Sequence, residues 1–105
     1  MKNLNDIMKQ AQALQSRMEA LQAELEALEV EGSAGGGLVR VVMTGKGALK
    51  RVSIDPSLLR EDEREILEDL IVAAASDGRS KAERSAAEKM KSIAGGLPLP
   101  PGFGL

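Results

Sequence analysis

The spacing of apolar residues along the first thirty positions is the most regular pattern in this chain. Apolar residues alternate there at intervals of three and four, at Leu4, Ile7, Ala11, Leu14, Met18, Leu21, Leu25 and Leu28. With good helix formers between them, this heptad repeat predicts a helix over residues 3–27, capped by Asn3 or Asn5. The stripe of an ordinary core-facing helix looks similar, but the strict alternation favours a coiled-coil role in assembly.

The length of this helix gives a second expectation. At about 1.5 Å per residue it spans roughly 38 Å, whereas a compact domain of this size has a radius of gyration of about 13 Å. We therefore expect one end of the helix to stand clear of the globule. An apolar stripe in water is unfavourable, so that end needs a second helix or another subunit.

After the first predicted helix, apolar and polar residues alternate with a period of two. Leu38–Thr44 and Leu49–Ile54 predict two strands, with Val39, Val41 and Met43 on one face. Gly45–Gly47 is predicted to join them and to supply the positive φ angles of the hairpin turn. Gly32–Gly37 is predicted as a flexible connection. Leu28–Glu31 fits either the end of the helix or a third strand. We favour a third strand beginning near Val30, because two strands alone are only marginally stable.

A second helix is predicted over residues 62–94. Asp62 and Glu65 resemble an N-terminal capping arrangement, apolar residues recur at helical spacing from Ile66, and Gly95–Gly96 ends the helix. The proline-rich tail that follows cannot be helical. We therefore predict a single α+β domain over 1–94 and a Gly/Pro-rich tail over 95–105.

Composition argues against several classes of function. Among the 105 residues there is no His or Cys, so His or thiolate metal ligation, a Cys nucleophile and a Ser-His-Asp triad are excluded. We expect no enzyme activity, no cofactor, no metal site and no small-molecule substrate. Signal-peptide and membrane-span patterns are also missing, which predicts a cytoplasmic protein without a membrane partner.

The net charge of −2 conceals alternating blocks. Residues 1–18 carry +2, 19–31 carry −5, 32–60 carry +4, 61–70 carry −5 and 71–105 carry +2. Acidic residues in the first turns of a helix complement its dipole, which accounts for the 61–70 block without a metal ion. The glycine-rich stretches do not open a helix with Lys-Ser/Thr, so they are turns rather than phosphate loops.

Basic residues on the two helices are the candidate DNA-binding residues. The predicted set is Lys9, Arg17, Arg79, Lys81, Arg84, Lys89 and Lys91. A solvated helix face, with pairs such as Arg84 and Glu88, explains some of the same residues. In a two-fold dimer the set is duplicated and neutralises several phosphates. With Phe103 as the one aromatic residue there is no platform for stacking bases, so the expected ligand is double-stranded DNA.

Five segments, in order, resemble the YbaB/EbfC nucleoid-associated proteins of bacteria: Met8–Gln12, Gly37–Val41, Ile54–Leu59, Leu67–Ala74 and Leu97–Phe103. The resemblance implies a two-layer α-β-β-β-α fold with a three-stranded antiparallel sheet. It also implies a homodimer whose long helices project like tweezers, and DNA binding in the cytoplasm and nucleoid. The third strand that we favour agrees with it.

Two segments depart from the usual pattern of that family. Thr44–Gly45 stands where Asn-Gly is common, and Ser76-Asp77-Gly78 stands where Asn-Asp-Ala is common. Gly78 costs a helix about 1 kcal/mol relative to Ala unless close packing offsets the loss. The predicted function is that of a homodimer that binds the backbone phosphates of duplex DNA. Such binding would affect DNA conformation, nucleoid organisation and gene expression. The alternative is a cytoplasmic interaction or scaffold module that uses the heptad helix and the tail.

Overall fold

A computed structural model of the chain describes residues 3–94, in which two long helices flank a three-stranded antiparallel sheet. The elements are α1 Leu4–Ala27, β1 Glu29–Ala34, β2 Val39–Thr44, β3 Leu49–Ile54 and α2 Arg64–Ala94. The α+β class and the third strand are therefore confirmed. Asn3 caps α1, since its Oδ1 accepts from the Asp6 amide at 2.9 Å. The predicted tail, 95–105, lies outside the described residues.

The sheet has the order β1-β2-β3, so β2 is its central strand. Val41 pairs with Gly32 on one side and with Val52 on the other. The predicted inner face of β2 is confirmed, because Val39, Val41 and Met43 are all buried. Helix α2 covers this face over β1 and β2, whereas β3 remains exposed along nearly its whole length. The hydrophobic core therefore lies between α2 and the first two strands.

Helix α2 approaches the sheet very closely at one point. A Cβ atom on Gly32 would lie 2.4 Å from both the Ala74 carbonyl oxygen and the Gly78 amide nitrogen. A Cβ on Gly78 would in turn lie 3.2 Å from Cγ2 of Val41. Ala74, Gly78 and Ala82 are buried and recur every fourth residue, so they form one narrow face of the helix. The close packing that offsets the helical cost of Gly78 is thus present.

Three local predictions need correction. Gly32 belongs to β1 and is buried, so the flexible connection is reduced to a 3-10 turn at Gly35–Gly37, all with positive φ. In the hairpin turn, Gly47 has positive φ (87°). Gly45 instead packs against α1, and its amide donates to the Leu25 carbonyl at 2.8 Å. Asp62 lies inside a 3-10 turn, Glu61–Glu63, that leads into α2, so it does not cap that helix.

The molecule is elongated, with extents of 71 × 24 × 15 Å and a radius of gyration of 19.7 Å. That radius is well above the roughly 13 Å of a compact domain, because much of α1 projects from the sheet. Of the heptad residues, Leu21 and Leu25 are buried, but Leu4, Ile7 and Leu14 are exposed. The expectation that one end of this helix stands clear of the globule is therefore confirmed.

Candidate nucleic-acid interface

The end of the molecule away from the sheet consists of two antiparallel helical segments. The C-terminal half of α1 packs beside the last third of α2. Leu25 and Ala82 line one groove, and Arg17 and Ser92 line another further along the same helices. Beyond Arg17, α1 continues for roughly 20 Å, at about 1.5 Å per residue, past the described end of α2. We call this end of the molecule, residues 4–25 of α1 and 79–94 of α2, the arm.

Two of the predicted DNA-binding residues lie where the helices of the arm meet. Lys89 extends toward α1, and its Nζ lies 2.6 Å from Oε1 of Glu24. Arg17 lines the same groove about two turns from Glu24 on α1. The Lys89 charge is therefore already neutralised within the chain, and this ion pair joins the two helices of the arm. Lys89 therefore lies on a different side of α2 from Lys91, which is exposed.

Lys81 is also engaged within the chain. Its Nζ lies 3.1 Å from Oδ2 of Asp77, and the same oxygen accepts from the Ser33 amide at 3.0 Å. The hydrogen bond from Ser33, followed by that from Lys81, lowers the pKa of Asp77 below its usual value. Asp77 thus attaches the edge strand β1 to α2, and Lys81 balances its charge.

Arg84 and Lys91 lie on the side of α2 that faces away from the sheet. They are seven residues apart, both are exposed, and Lys81 lies on the flank of the same side. Arg79 is separate from them, because it lines the groove that α2 forms with Gly45–Gly47 of the hairpin. Lys9 is exposed on the projecting part of α1. The structure therefore distributes the seven predicted residues around the arm rather than along one line.

The basic residues of the arm differ from those of the sheet region in whether they form ion pairs. Every base between residues 40 and 64 has a carboxylate within 4.0 Å. Within the described part of the chain, five bases form no ion pair with another described residue: Lys9, Arg17, Arg79, Arg84 and Lys91. All five lie on the arm. The cations that are available to an external anion are therefore concentrated at one end of an acidic protein.

The strongest pairing in the sheet region centres on Glu29. Lys50 and Arg51 both reach this carboxylate, each at 2.9 Å. Val42 of β2 pairs with Arg51 and Met43 pairs with Leu49, so Lys50 is an extra residue of β3, and this bulge breaks the alternation that normally directs consecutive side chains to opposite faces. Hydrogen bonds from Arg51 and then Lys50 lower the pKa of Glu29 from 4.5 to about 2. These two bases are therefore fully committed to an internal partner.

Other kinds of site find no support in residues 3–94. No group of three or more potential ligands is arranged there to hold a metal ion. Neither of the two long helices has an apolar stretch that would let it span a membrane. Every buried polar side-chain atom of the described residues has a hydrogen-bond partner. No orphaned polar group there calls for a ligand.

Sequence reasoning missed the partner of Lys89 and the cause of the close α2 contact. Glu24 and Lys89 are 65 residues apart, and no local pattern connects them. The close contact did leave a signal, since small residues recur every fourth position at Ala74, Gly78, Ala82 and Ala86. A stripe of that kind permits backbone to approach backbone, and Gly32 is the matching gap in the sheet.

Comparison with known proteins finds similar sequences along nearly the whole chain and a similar fold. Residues 1–97 match the model of the YbaB/EbfC DNA-binding family. A nucleoid-associated protein of Nitrobacter hamburgensis is 58% identical over 105 residues, with 100% of this chain and 99% of the relative covered. A nucleoid-associated protein of Brucella melitensis biotype 2 is 53% identical over 105 residues, covering 100% and 98% respectively. The crystal structure of an uncharacterized protein from Helicobacter pylori has the same fold, with a TM-score of 0.70 and 22% identity, over 91% of this chain and 97% of that one.

Proposed function

The chain belongs to the YbaB/EbfC DNA-binding family, and from that membership we propose that it binds duplex DNA through the phosphate backbone as a homodimer. It is a nucleoid-associated DNA-binding protein, in line with the names of relatives at 52–58% identity. The observation that carries the finer proposal is the location of the five bases without an internal partner. All five lie on the arm, while the bases of the sheet region are paired with carboxylates.

Phosphates are the part of DNA that this arm fits. Unpaired Lys and Arg side chains bind phosphate oxygens and release condensed counterions, which supplies affinity without reading the bases. The described residues contain no aromatic side chain, so no stacking platform favours single strands. The available cations of one subunit are few, and an acidic chain needs more of them to hold a polyanion. A homodimer doubles their number and spaces them along the duplex.

Two exposed apolar surfaces support a homodimer. One is the projecting part of α1, where Leu4, Ile7 and Leu14 are exposed by 70%, 53% and 41%. The other is the part of the sheet that α2 leaves uncovered, with Leu49 and Val52 of β3. Exposed apolar side chains in contiguous sets mark interaction surfaces. Association of two copies through either surface keeps the basic residues of both arms in one assembly.

This function implies a place and a consequence in the cell. The duplex DNA of bacteria is in the nucleoid, so the protein acts in the cytoplasm on nucleoid DNA. A dimer that holds phosphates at fixed spacing would affect DNA conformation, nucleoid organisation and gene expression. No cofactor, metal ion or small-molecule substrate takes part in such binding.

One observation favours a second candidate function. The exposed apolar stripe of α1 and the net charge of −2 also suit a scaffold that recruits another cytoplasmic protein. In that case the unpaired bases would serve only solubility. Because the two functions differ in whether affinity depends on phosphates, a salt titration separates them.

The direct test is binding to a labelled duplex across a series of salt concentrations. For the DNA-binding protein we expect log K to fall linearly with log salt. Neutralising two arm cations, in an Arg84→Gln/Lys91→Gln variant, makes that slope shallower by about one for each phosphate contact removed. The matched control is Arg40→Gln/Arg60→Gln, which changes net charge equally at two exposed bases that have internal partners. Equal slopes for the two variants, or no binding, would support the scaffold instead.

The Glu24–Lys89 ion pair allows a test of opposite sign. Glu24→Gln leaves Lys89 without its carboxylate, so we expect DNA affinity to rise. Glu19→Gln removes the same charge from the same helix, but Glu19 accepts only from the Gln15 amide at 3.5 Å. A gain that is no larger for Glu24→Gln than for this control would show that Lys89 does not contact DNA.

A further inference from the structure

The side of α2 that faces away from the sheet carries an ordered set of charges. Asp69 lies in its first part, Arg84 and Lys91 lie in its last part, and Asp62 precedes them in the 3-10 turn Glu61–Glu63; all four are exposed. At about 100° per residue, the three helical positions and Ser76 form one stripe along the helix, and Asp62 lies just before its start. The stripe is opposite the buried face of the helix. Neither the sheet nor α1 obstructs it, and we call it the outer stripe.

The charges of the outer stripe are arranged symmetrically about its middle. Asp69 and Arg84 are equally distant from the point between Ser76 and Asp77, and so are Asp62 and Lys91. A second copy of α2 that lies antiparallel across this point places each acid opposite a base. Two-fold symmetry repeats each contact, so four ion pairs form in one register. Parallel packing would oppose like charges, so the charge order specifies the direction.

The middle of the outer stripe has the small side chains that such a crossing needs. Ala73, Ser76 and Ser80 are exposed there and follow each other at helical spacing. Small residues let two helices approach closely, to interaxial distances of about 8 Å. Toward one end of the stripe, Ile66 is half exposed and comes opposite Ala87 of the other copy. Shape and charge therefore agree on the same antiparallel register.

Within the described residues the charges concerned are mostly unused. Asp69, Arg84 and Lys91 form no ion pair, while Asp62 has an exposed contact of 3.4 Å to Arg60. We propose that the outer stripe of α2 binds the outer stripe of a second copy in antiparallel orientation, separately from the surfaces suggested above for the homodimer. Exposed ion pairs contribute little each and are screened by salt, so this contact is reversible and strongest at low ionic strength.

A consequence follows for DNA binding, and this part rests on the proposed function. Arg84 and Lys91 cannot contact phosphates and the acids of another copy at the same time. Duplex DNA and the second copy therefore compete for the same two bases. Protein without DNA would associate through the outer stripe, and DNA would dissociate that contact.

Site-specific cross-linking tests the contact directly, because the chain has no cysteine of its own. In a two-fold contact, residues near the axis meet their own counterparts, so a Ser76→Cys variant should form a symmetric disulfide rapidly under mild oxidation. Ser57→Cys, exposed in the 3-10 turn Pro56–Leu58, is the control and should cross-link at the slow rate of random collision. Equal rates for the two variants would overturn the proposal.

Charge exchange then tests the register. In the Ser76→Cys background, Asp69→Arg and Arg84→Asp should each reduce the cross-linking rate at least tenfold, because each opposes like charges. Combining them restores the opposite charges and should restore the rate. Failure of the combined variant to recover would rule out this register, whatever the single variants do.

A final measurement separates the two proposals. Adding duplex DNA should suppress the Ser76→Cys disulfide by the fraction of protein that is bound. Rapid cross-linking with no DNA binding would leave the self-contact established and refute the proposed function. Cross-linking that persists in the DNA-bound protein would overturn the competition.

Discussion

The two ends of this molecule are held in their conformations by different means. At the sheet end, backbone meets backbone at Gly32 and Gly78, the core side chains of β2 are buried, and each base has a carboxylate partner. In the arm, α1 continues with its apolar residues exposed and most of the bases unpaired. The ion pair between Lys89 and Glu24 is an exception, and it links the two helices of the arm.

This contrast shows where stability and binding are located. The sheet end pairs its bases with its own carboxylates, so it has few charges left for an anion, although Leu49 and Val52 of β3 remain exposed. The arm leaves five bases without a described carboxylate partner and the apolar residues of the projecting part of α1 exposed, so both kinds of group are accessible to another molecule. Variants at the two ends should therefore differ in what they damage.

Gly32→Ala should be the most destabilising substitution. The new Cβ would lie 2.4 Å from two backbone atoms of α2, and backbone cannot move aside as a side chain can. We expect a loss of at least about 3 kcal/mol in the free energy of unfolding, measured by urea denaturation at fixed protein concentration. In Gly36→Ala the new Cβ meets nothing within 4 Å, although φ is +68°. That control should cost only about 1–2 kcal/mol, and similar losses would contradict the backbone contact.

Alanine substitutions at different positions of the heptad repeat should have unequal effects on the free energy of unfolding. Leu25 is buried at the sheet end of α1, so Leu25→Ala should cost about 2–4 kcal/mol. Ile7 is 53% exposed on the projecting part, and Ile7→Ala should change the stability of the subunit by less than about 0.5 kcal/mol. The unfolding measurement is made at a concentration where the protein is monomeric by sedimentation. A large effect of Ile7→Ala under those conditions would place that residue in the core of the subunit.

The loss of folding stability at acid pH should depend on Glu29. Its pKa is lowered from 4.5 to about 2 by Arg51 and Lys50, so the folded state favours the carboxylate. The stabilisation is present above pH 4.5 and is lost as the pH falls toward 2. Glu29→Gln should therefore be less stable than the wild type at pH 7. The difference between their urea denaturation midpoints should shrink as the pH falls from 4.5 toward 2. A difference that stays constant as the pH falls from 4.5 to 2 would contradict this role of Glu29.

Gly78→Ala should have the smallest effect. Alanine gains about 1 kcal/mol of helix propensity, but its Cβ would contact Cγ2 of Val41 at 3.2 Å and Sδ of Met43 at 3.3 Å. Met43 is flexible and can yield, so we expect a net change within about 1 kcal/mol by the same denaturation assay. A loss as large as that of Gly32→Ala would mean that α2 cannot adjust to a single methyl group.

The same contrast explains what the sequence could predict. Both helices and the strands β2 and β3 follow from periodicity, because the apolar pattern that defines them also drives their packing. Periodicity left β1 open, and it was favoured because two strands alone are only marginally stable. Val39, Val41 and Met43 were predicted as one face on that basis. The Gly32 contact was not predicted, since it depends on two glycines from distant segments that meet only in the folded chain. Asp62 failed as a cap because the preceding 3-10 turn fixed the entry to the helix.

The candidate site was harder to predict than the fold. All seven basic residues could be selected by charge, and the five without an internal partner are among them. The selection by charge did not take into account that Asp77 neutralises Lys81 and that Glu24 neutralises Lys89. The first pair has ordinary helical spacing, but the second requires knowing that α1 and α2 run antiparallel. Charge alone therefore overestimated the number of available cations.

The contact between Gly32 and Gly78 also has a mechanical consequence. Helix α2 is one uninterrupted rod, and this is where its backbone comes nearest to the sheet, so the contact acts as a fulcrum. The end of the helix lies roughly 24 Å away, at about 1.5 Å per residue. A tilt of a few degrees at the fulcrum would displace that tip by about an ångström or two. Any tilt of α2 at Gly78 would therefore also shift Lys89 relative to Glu24 of α1.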